Sequence, residues 1–204
     1  MAACATDALA RQGFFMGACR GGANRPAVAW AVRWGAECSD NPQLLSVVEA
    51  EMKTVFVLNG PNLNLLGLRE PTIYGAHTLA DVEQLCAQAA ARNQLALRFH
   101  QSNHEGALID WLHEAGQLQR EGQLAGVVLN AAAYTHTSVA LMDAIKGAAL
   151  PVIELHISNV HAREAFRHHS YIAPVAKAVI CGLGVQGYSI AIDAVTQVLL
   201  APTA

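Results

Sequence analysis

The chain has 204 residues, of which 53% are hydrophobic and 14% charged, with a formal net charge of −3 at pH 7. That is the composition of a core-forming domain with a tail, and it excludes disorder of the whole chain. Neither a basic face for nucleic acid nor an apolar run of the roughly 18 residues that a membrane helix needs is present.

Residues 1–51 are rich in small residues, glycine and scattered arginine, with Trp30 and Trp34 among them, and show no strand–turn–helix rhythm. They lack the basic segment and apolar core of a secretory signal. Up to Arg33 the only acidic residue is Asp7. This faintly resembles a transit peptide, but the favoured reading is a poorly ordered, dispensable extension. Met52, directly before the first strand, is then a candidate true start, and residues 52–204 are expected to form the folded domain. The five cysteines (Cys4, Cys19, Cys38, Cys86 and Cys181) are odd in number, widely spaced and without a CxxC pair. That pattern fits free thiols in a reducing compartment, so a cytoplasmic protein is expected.

From Lys53 onward the rhythm is regular. "TVFVLN" (Thr54–Asn59) reads as a strand buried on both faces. A long loop, Gly60–His77, follows. Thr78 and Asp81 have the spacing of a helix start, and Leu79, Val82, Leu85, Cys86 and Ala89 repeat at helical spacing. "LALRFHQ" (Leu95–Gln101) is the second strand. Ser102 and Glu105 are spaced as a capping box for a helix whose stripe is Ala107, Leu108, Trp111, Leu112 and Ala115. "GVVLN" (Gly126–Asn130) is the third strand, with a helix over about Thr137–Ala148. Pro151 opens the fourth strand, "VIELHI". A short helix is expected over His161–Phe166, a fifth strand over Lys177–Leu183 and a last helix over about Gly187–Leu200.

Strands alternating with helices imply right-handed crossovers and a parallel sheet. Five strands in this order predict a flavodoxin-like, doubly wound α/β fold, in which ligands bind beyond the carboxyl ends of the strands. The segments just after the strands are loaded with Asn, His, Tyr and Arg: "NGPNLNLLGLREPTIYG" (Asn59–Gly75), "QSNHEG" (Gln101–Gly106), "NAAAYTHTS" (Asn130–Ser138), "ELHISNVHAREAFRHHS" (Glu154–Ser170) and "GLGVQGY" (Gly182–Tyr188). Structural loops need mostly Gly, Pro, Asp and Ser, so these windows are candidates for chemistry.

Taken together, the motifs resemble those of the type II 3-dehydroquinate dehydratases over about Met52–Leu200. The resemblance implies a cofactor-free hydro-lyase that dehydrates 3-dehydroquinate through an enolate, in the shikimate pathway or in quinate catabolism. It also implies a homododecamer built of trimers. One departure is visible: members often carry Pro-Gly or Gly-Gly after the third-strand Asn, where this chain has Ala131 and Ala132. That bears on the conformation of the loop and not on the chemistry. Residues 1–51 have no counterpart in the family pattern.

Tyr74 sits in a glycine-bounded loop five residues after Arg69. Read blandly it anchors a turn; read functionally it is a general base. A free phenol ionises near pH 10, so only about 0.1% is phenolate at pH 7. A guanidinium at roughly 4 Å, at an effective dielectric near 20, contributes about 4 kcal/mol, or about three pKa units downward. The resemblance assigns proton abstraction to Tyr74 and transition-state stabilisation to Arg69. His156 ends the fourth strand, and Glu154, two residues back on the same face, is placed to hold its ring in one tautomer. The resemblance makes His156 the proton donor to the leaving hydroxyl, a role that suits imidazolium.

Arg163 and Arg167 are spaced one helical turn apart, either as a solvated basic face or as forks for a carboxylate. By resemblance Arg167 binds substrate and Arg163 lies near the tyrosine. Backbone N–H groups of Ile157 and Ser158, before an expected helix start, are candidates to cradle a carboxylate. By resemblance Asn130 and His136 bind substrate hydroxyls, and Asn62 positions the tyrosine or a water. Asp143, seven residues after His136, is expected on the same helix face. The resemblance carries it into a neighbouring subunit's site.

Three other chemistries are disfavoured. The nine histidines show no HExxH or other tight ligand spacing, so no metal is expected. "GLGVQG" matches a dinucleotide fingerprint as a string, but it follows the fifth strand and has no acidic residue about 20 positions on; its glycines are expected to serve close packing of the last helix. A lysine Schiff base is the other route to dehydration beside a ketone, yet Lys53, Lys146 and Lys177 all fall away from strand carboxyl ends. Two rivals share the fold: a flavin-binding electron carrier, which lacks a Ser/Thr-rich phosphate loop here, and a non-catalytic binding relative, which Tyr74 and His156 argue against.

Overall fold

A computed structural model describes residues 52–68 and 77–200. Residues 1–51, read above as an extension, and Arg69 and Tyr74 lie outside the described residues.

Five parallel strands, β1 (Thr54–Asn59), β2 (Ala96–Gln101), β3 (Leu124–Asn130), β4 (Val152–His156) and β5 (Ala178–Cys181), lie in the order β2-β1-β3-β4-β5. This is the flavodoxin-like doubly wound order, as expected. The three central strands are almost wholly buried, which their unbroken β-branched and apolar runs require; the edge strands β2 and β5 are half-exposed.

Side chains alternate between two cores. Val55, Val57, Ile153 and Leu155 pack under helices α1 (Leu79–Arg92) and α4 (Gln186–Ala194). Phe56, Leu58, Leu129 and Val152 pack under α2 (Glu105–Arg120) and α3 (Val139–Gly147). The register between β1 and β3 shifts between Thr54 and Val55, and Gly126 packs against the last helical turns. A Cβ at Gly126 would stand 2.9 Å from Leu199 and 3.1 Å from Val195.

The expected start of α1 forms: Thr78 Oγ1 accepts from Asp81 N at 3.2 Å, and Asp81 Oδ2 accepts from Thr78 N at 2.8 Å. The expected box at Ser102 and Glu105 does not. Ser102 Oγ accepts from His104 N at 2.9 Å, and His104 takes the cap position, so Glu105 opens the helix instead of closing a box. The helix predicted over Thr137–Ala148 begins only at Val139, capped by Ser138 Oγ on Leu141 N; Ala132–His136 form a separate 3-10 turn before it. His136 and Asp143 therefore do not share a helix face. The single short helix predicted over His161–Phe166 is two 3-10 turns, Val160–Ala162 and Ala165–His168. Arg163 and Arg167 thus fall on successive tight turns and not on one helix. At the C-terminus the α-helix ends at Ala194 and widens into a π turn, Val195–Leu199. Gly187 meets its packing expectation, since a Cβ there would approach Leu155 Cδ1 to 2.9 Å.

Candidate active site

The carboxyl ends of β1, β3 and β4 open onto one cleft. The exit of β1 contributes Asn62 above an apolar floor of Leu63, Leu65 and Leu66; the exit of β3 contributes Asn130 and His136; the exit of β4 contributes His156, Ile157, Ser158, Arg163 and Arg167. These strand exits sit close together because Gly60 allows it. A Cβ on Gly60 would lie 2.4 Å from the carbonyl oxygen of Ala131, and Gly60 N donates to Asn130 O at 2.8 Å. Asn62 adopts the left-handed conformation (φ 66°), which Asn tolerates better than most residues, and its N–H donates to Asn103 Oδ1 at 2.9 Å.

His156 has the most defined surroundings. Its Nε2 stands 2.9 Å from Glu154 Oε1, with the two residues 7% and 0% exposed. Ser170 Oγ donates to the same Oε1 at 2.8 Å, and Thr135 Oγ1 donates to it as well. Glu154 Oε2 is buried and makes no hydrogen bond among the described residues. Burial pushes the Glu154 carboxyl up. The hydrogen bonds from His156 and Thr135, the His156 charge and the Ser170 hydroxyl outweigh burial and hold it below the ordinary carboxylate range. A carboxylate can only accept, so Nε2 of His156 carries its proton toward Glu154 and Nδ1 is the ring atom left for a ligand.

His136 is oriented differently. Its Nδ1 lies 2.7 Å from the carbonyl oxygen of His169, which can only accept, so Nδ1 bears the proton. The His136 and His156 rings run nearly parallel, 9° apart, with centroids separated by 6.4 Å. Across the cleft mouth, Arg167 Nε donates to Glu164 Oε2 at 2.8 Å, and Arg163 Nη1 reaches Ser158 Oγ at 3.5 Å. Among the described residues two guanidiniums and no carboxylate line the cleft; the exposed Glu164 beside it pairs with both, and one net positive charge of the three is left to favour an anion.

No lysine lines this cleft. Among the described residues no three His, Cys, Asp or Glu side chains gather to hold a metal ion, and no helix is long and apolar enough to cross a membrane. Asp143 is exposed on α3 and lines a separate hollow with His113 and Arg120 of α2, away from the other predicted residues.

A family model described as Dehydroquinase class II matches residues 53–196. The chain belongs to this family. It is 74% identical over 145 residues to the 3-dehydroquinate dehydratase of Acidovorax sp. (strain JS42), covering 71% of this chain and 98% of that protein. It is 55% identical over 155 residues to the catabolic 3-dehydroquinase of Pyricularia oryzae (strain 70-15), covering 76% and 97%. The crystal structure of type II dehydroquinase from Butyrivibrio crossotus DSM 2876 superposes with a TM-score of 0.67 at 40% identity, covering 71% of this chain and 98% of that one.

As a class II dehydroquinase, the chain shows side chains around its cleft that sequence reasoning did not single out. Thr135 and Ser170 converge on Glu154; Asn59 and Tyr188 lie behind Asn130. All four fall inside or at the edge of the polar windows after the strands, which was the one available clue. Their partners lie between 16 and 129 residues away, and no local pattern encodes that.

Proposed function

We propose that this chain dehydrates 3-dehydroquinate to 3-dehydroshikimate by anti elimination through an enolate. The carrying observation is His156, buried beside Glu154 with one ring nitrogen left for a ligand, in a cleft that Arg163 and Arg167 line.

The steps follow from the chemistry of a β-hydroxy ketone. A base removes the proton on the carbon next to the ketone, and its electrons move onto the carbonyl oxygen as an enolate. The enolate then collapses, the bond to the β-hydroxyl breaks, and the hydroxyl leaves as water on taking a proton from an acid. Tyr74 is the base in this reading, with Arg69 and Arg163 holding positive charge near its oxygen. His156 is the acid, and Glu154 orients its ring and stabilises the imidazolium. The substrate carboxylate is met by Arg167 and by backbone N–H groups at Ile157 and Ser158, its hydroxyls by Asn130 and His136, and the enolate side by Asn62. A three-residue turn, not the expected helix, follows Ile157 and Ser158, so their N–H groups act without a helix dipole behind them.

Several finer readings accompany this one. Residues 52–204 are the catalytic domain and residues 1–51 a dispensable extension. Asp143, outside its own cleft, is assigned to a neighbouring copy's site, in a homododecamer of trimers. The reaction is placed in the cytoplasm, serving the shikimate pathway or quinate catabolism. A chain beginning at Met52 that lost activity would refute the extension, and a monomeric mass in solution would refute the assembly.

The test of the reaction is the absorbance of the conjugated enone formed from 3-dehydroquinate by chelator-treated protein. Steady product formation is expected; no enone at any pH between 6 and 9 would overturn the assignment.

A further inference from the structure

Behind Asn130, Asn59 and Tyr188 extend a buried polar chain and have no part in the steps above. Asn59, Tyr188 and Asn130 are 0%, 0% and 3% exposed. Asn59 Nδ2 donates to the backbone carbonyl of His100 at 3.1 Å; Tyr188 Oη donates to Asn59 Oδ1 at 2.6 Å and accepts from Asn130 Nδ2 at 2.8 Å. Asn130 Oδ1 in turn accepts from Ala132 N at 3.3 Å.

The bond directions are set from both ends. The Ala132 N–H can only donate, so Asn130 Oδ1 faces it. From the other end they follow from a backbone carbonyl. The His100 carbonyl can only accept, so the nitrogen of the Asn59 amide must face β2 and its oxygen must face Tyr188. That oxygen can only accept, so it claims the single phenolic proton. The phenolic oxygen then has only lone pairs left for Asn130, which must present its nitrogen. Burial pushes ionisation of the Tyr188 phenol far up, so the proton stays in place. Asn130 lines the cleft and Tyr188 does not. The amide nitrogen of Asn130 keeps a second N–H.

Resting on the dehydratase reading, we propose that Tyr188 is a positioning residue: it locks the Asn130 amide so that the cleft is offered an N–H donor, which recognises a non-reacting oxygen of the substrate. The lock originates at a backbone carbonyl on β2, crosses the end of β1 and reaches the end of β3 through a side chain of α4. The last helix thus acts on substrate recognition without touching the cleft.

Tyr188→Phe removes the hydroxyl and keeps the ring. With 3-dehydroquinate, kcat/KM is expected to fall about tenfold, mainly through KM, because a bond to a non-reacting oxygen is shared by ground and transition states. In an Asn130→Ala background the same substitution is expected to change kcat/KM by less than about twofold. An equal loss in both backgrounds would make Tyr188 merely structural and overturn the proposal. A second readout needs no turnover. The Asn130 side-chain amide proton that faces Tyr188, assigned by its disappearance in Asn130→Ala, is expected to exchange slowly with solvent in the parent protein and rapidly in Tyr188→Phe. Unchanged exchange would overturn the lock. A parent protein inactive on 3-dehydroquinate would sink the reaction assignment, and the exchange measurement would still decide the lock.

Discussion

Glu154 Oε1 and His156 Nε2 stand 2.9 Å apart on one face of β4, and hydroxyls from Thr135 and Ser170 reach the same carboxylate oxygen. Strand alternation puts the two residues on one face; the two hydroxyls, from different loops, fix the carboxylate and so the ring. The arrangement aims one nitrogen of His156 away from the protein's interior chemistry and toward the cleft.

Glu154→Gln keeps the shape and removes the charge. In the proposed mechanism the imidazolium loses its stabilising partner, so kcat is expected to fall about 100-fold with KM within about threefold. Steady-state kinetics decide this. The substitution also changes the response to acid. A carboxyl held below its ordinary range stabilises the folded state at pH above its unfolded value, and that contribution disappears as pH falls through the depressed folded value. Urea denaturation of the two proteins is expected to show a difference in stability that narrows on acidification; a difference that widens would contradict the assignment.

Ala132 occupies the left-handed region (φ 51°) directly after the β3 exit. That conformation is one glycine adopts without steric cost. A side chain with a Cβ there costs about 1–2 kcal/mol, partly offset by the greater freedom that glycine loses on folding. Ala132→Gly is therefore expected to raise stability by about 0.5–1 kcal/mol in thermal or urea unfolding. A lower melting temperature would show that the loop is not strained.

Tyr74→Phe removes the proposed base while sparing the ring. Turnover of 3-dehydroquinate is expected to drop by at least about 100-fold. A rate within about tenfold of the parent, equivalent to about 1.4 kcal/mol in the barrier, would assign proton abstraction to another group.

The parts of the fold that rest on periodicity were legible beforehand. Val55–Asn59 declare a central strand by composition, Thr78 and Asp81 declare the start of α1, and the alternation of strands with helices implies the parallel sheet. The region after β4 was misread because short runs of Ala, His and Arg fit a helix by spacing alone, while the chain must turn twice within nine residues to line the cleft. Ser102 looked like one half of a capping box because the pattern cannot reveal that its hydroxyl is taken by His104 N. The cleft residues were legible to the extent that each follows a strand: Asn62, Asn130, His136, His156, Arg163 and Arg167 all meet there. The shared face expected for His136 and Asp143 was misread, because a seven-residue spacing means one face only if the helix is unbroken, and α3 starts after His136. Tyr188 and Ser170 gain their roles from tertiary contacts, which only the folded chain displays.

The central claim, that His156 supplies the proton to the departing hydroxyl, is tested most directly by His156→Asn, with initial rates and equilibrium substrate binding measured on the same preparation. The account predicts binding within about threefold of the parent and kcat reduced by at least about 100-fold. Retention of kcat within about tenfold would contradict it.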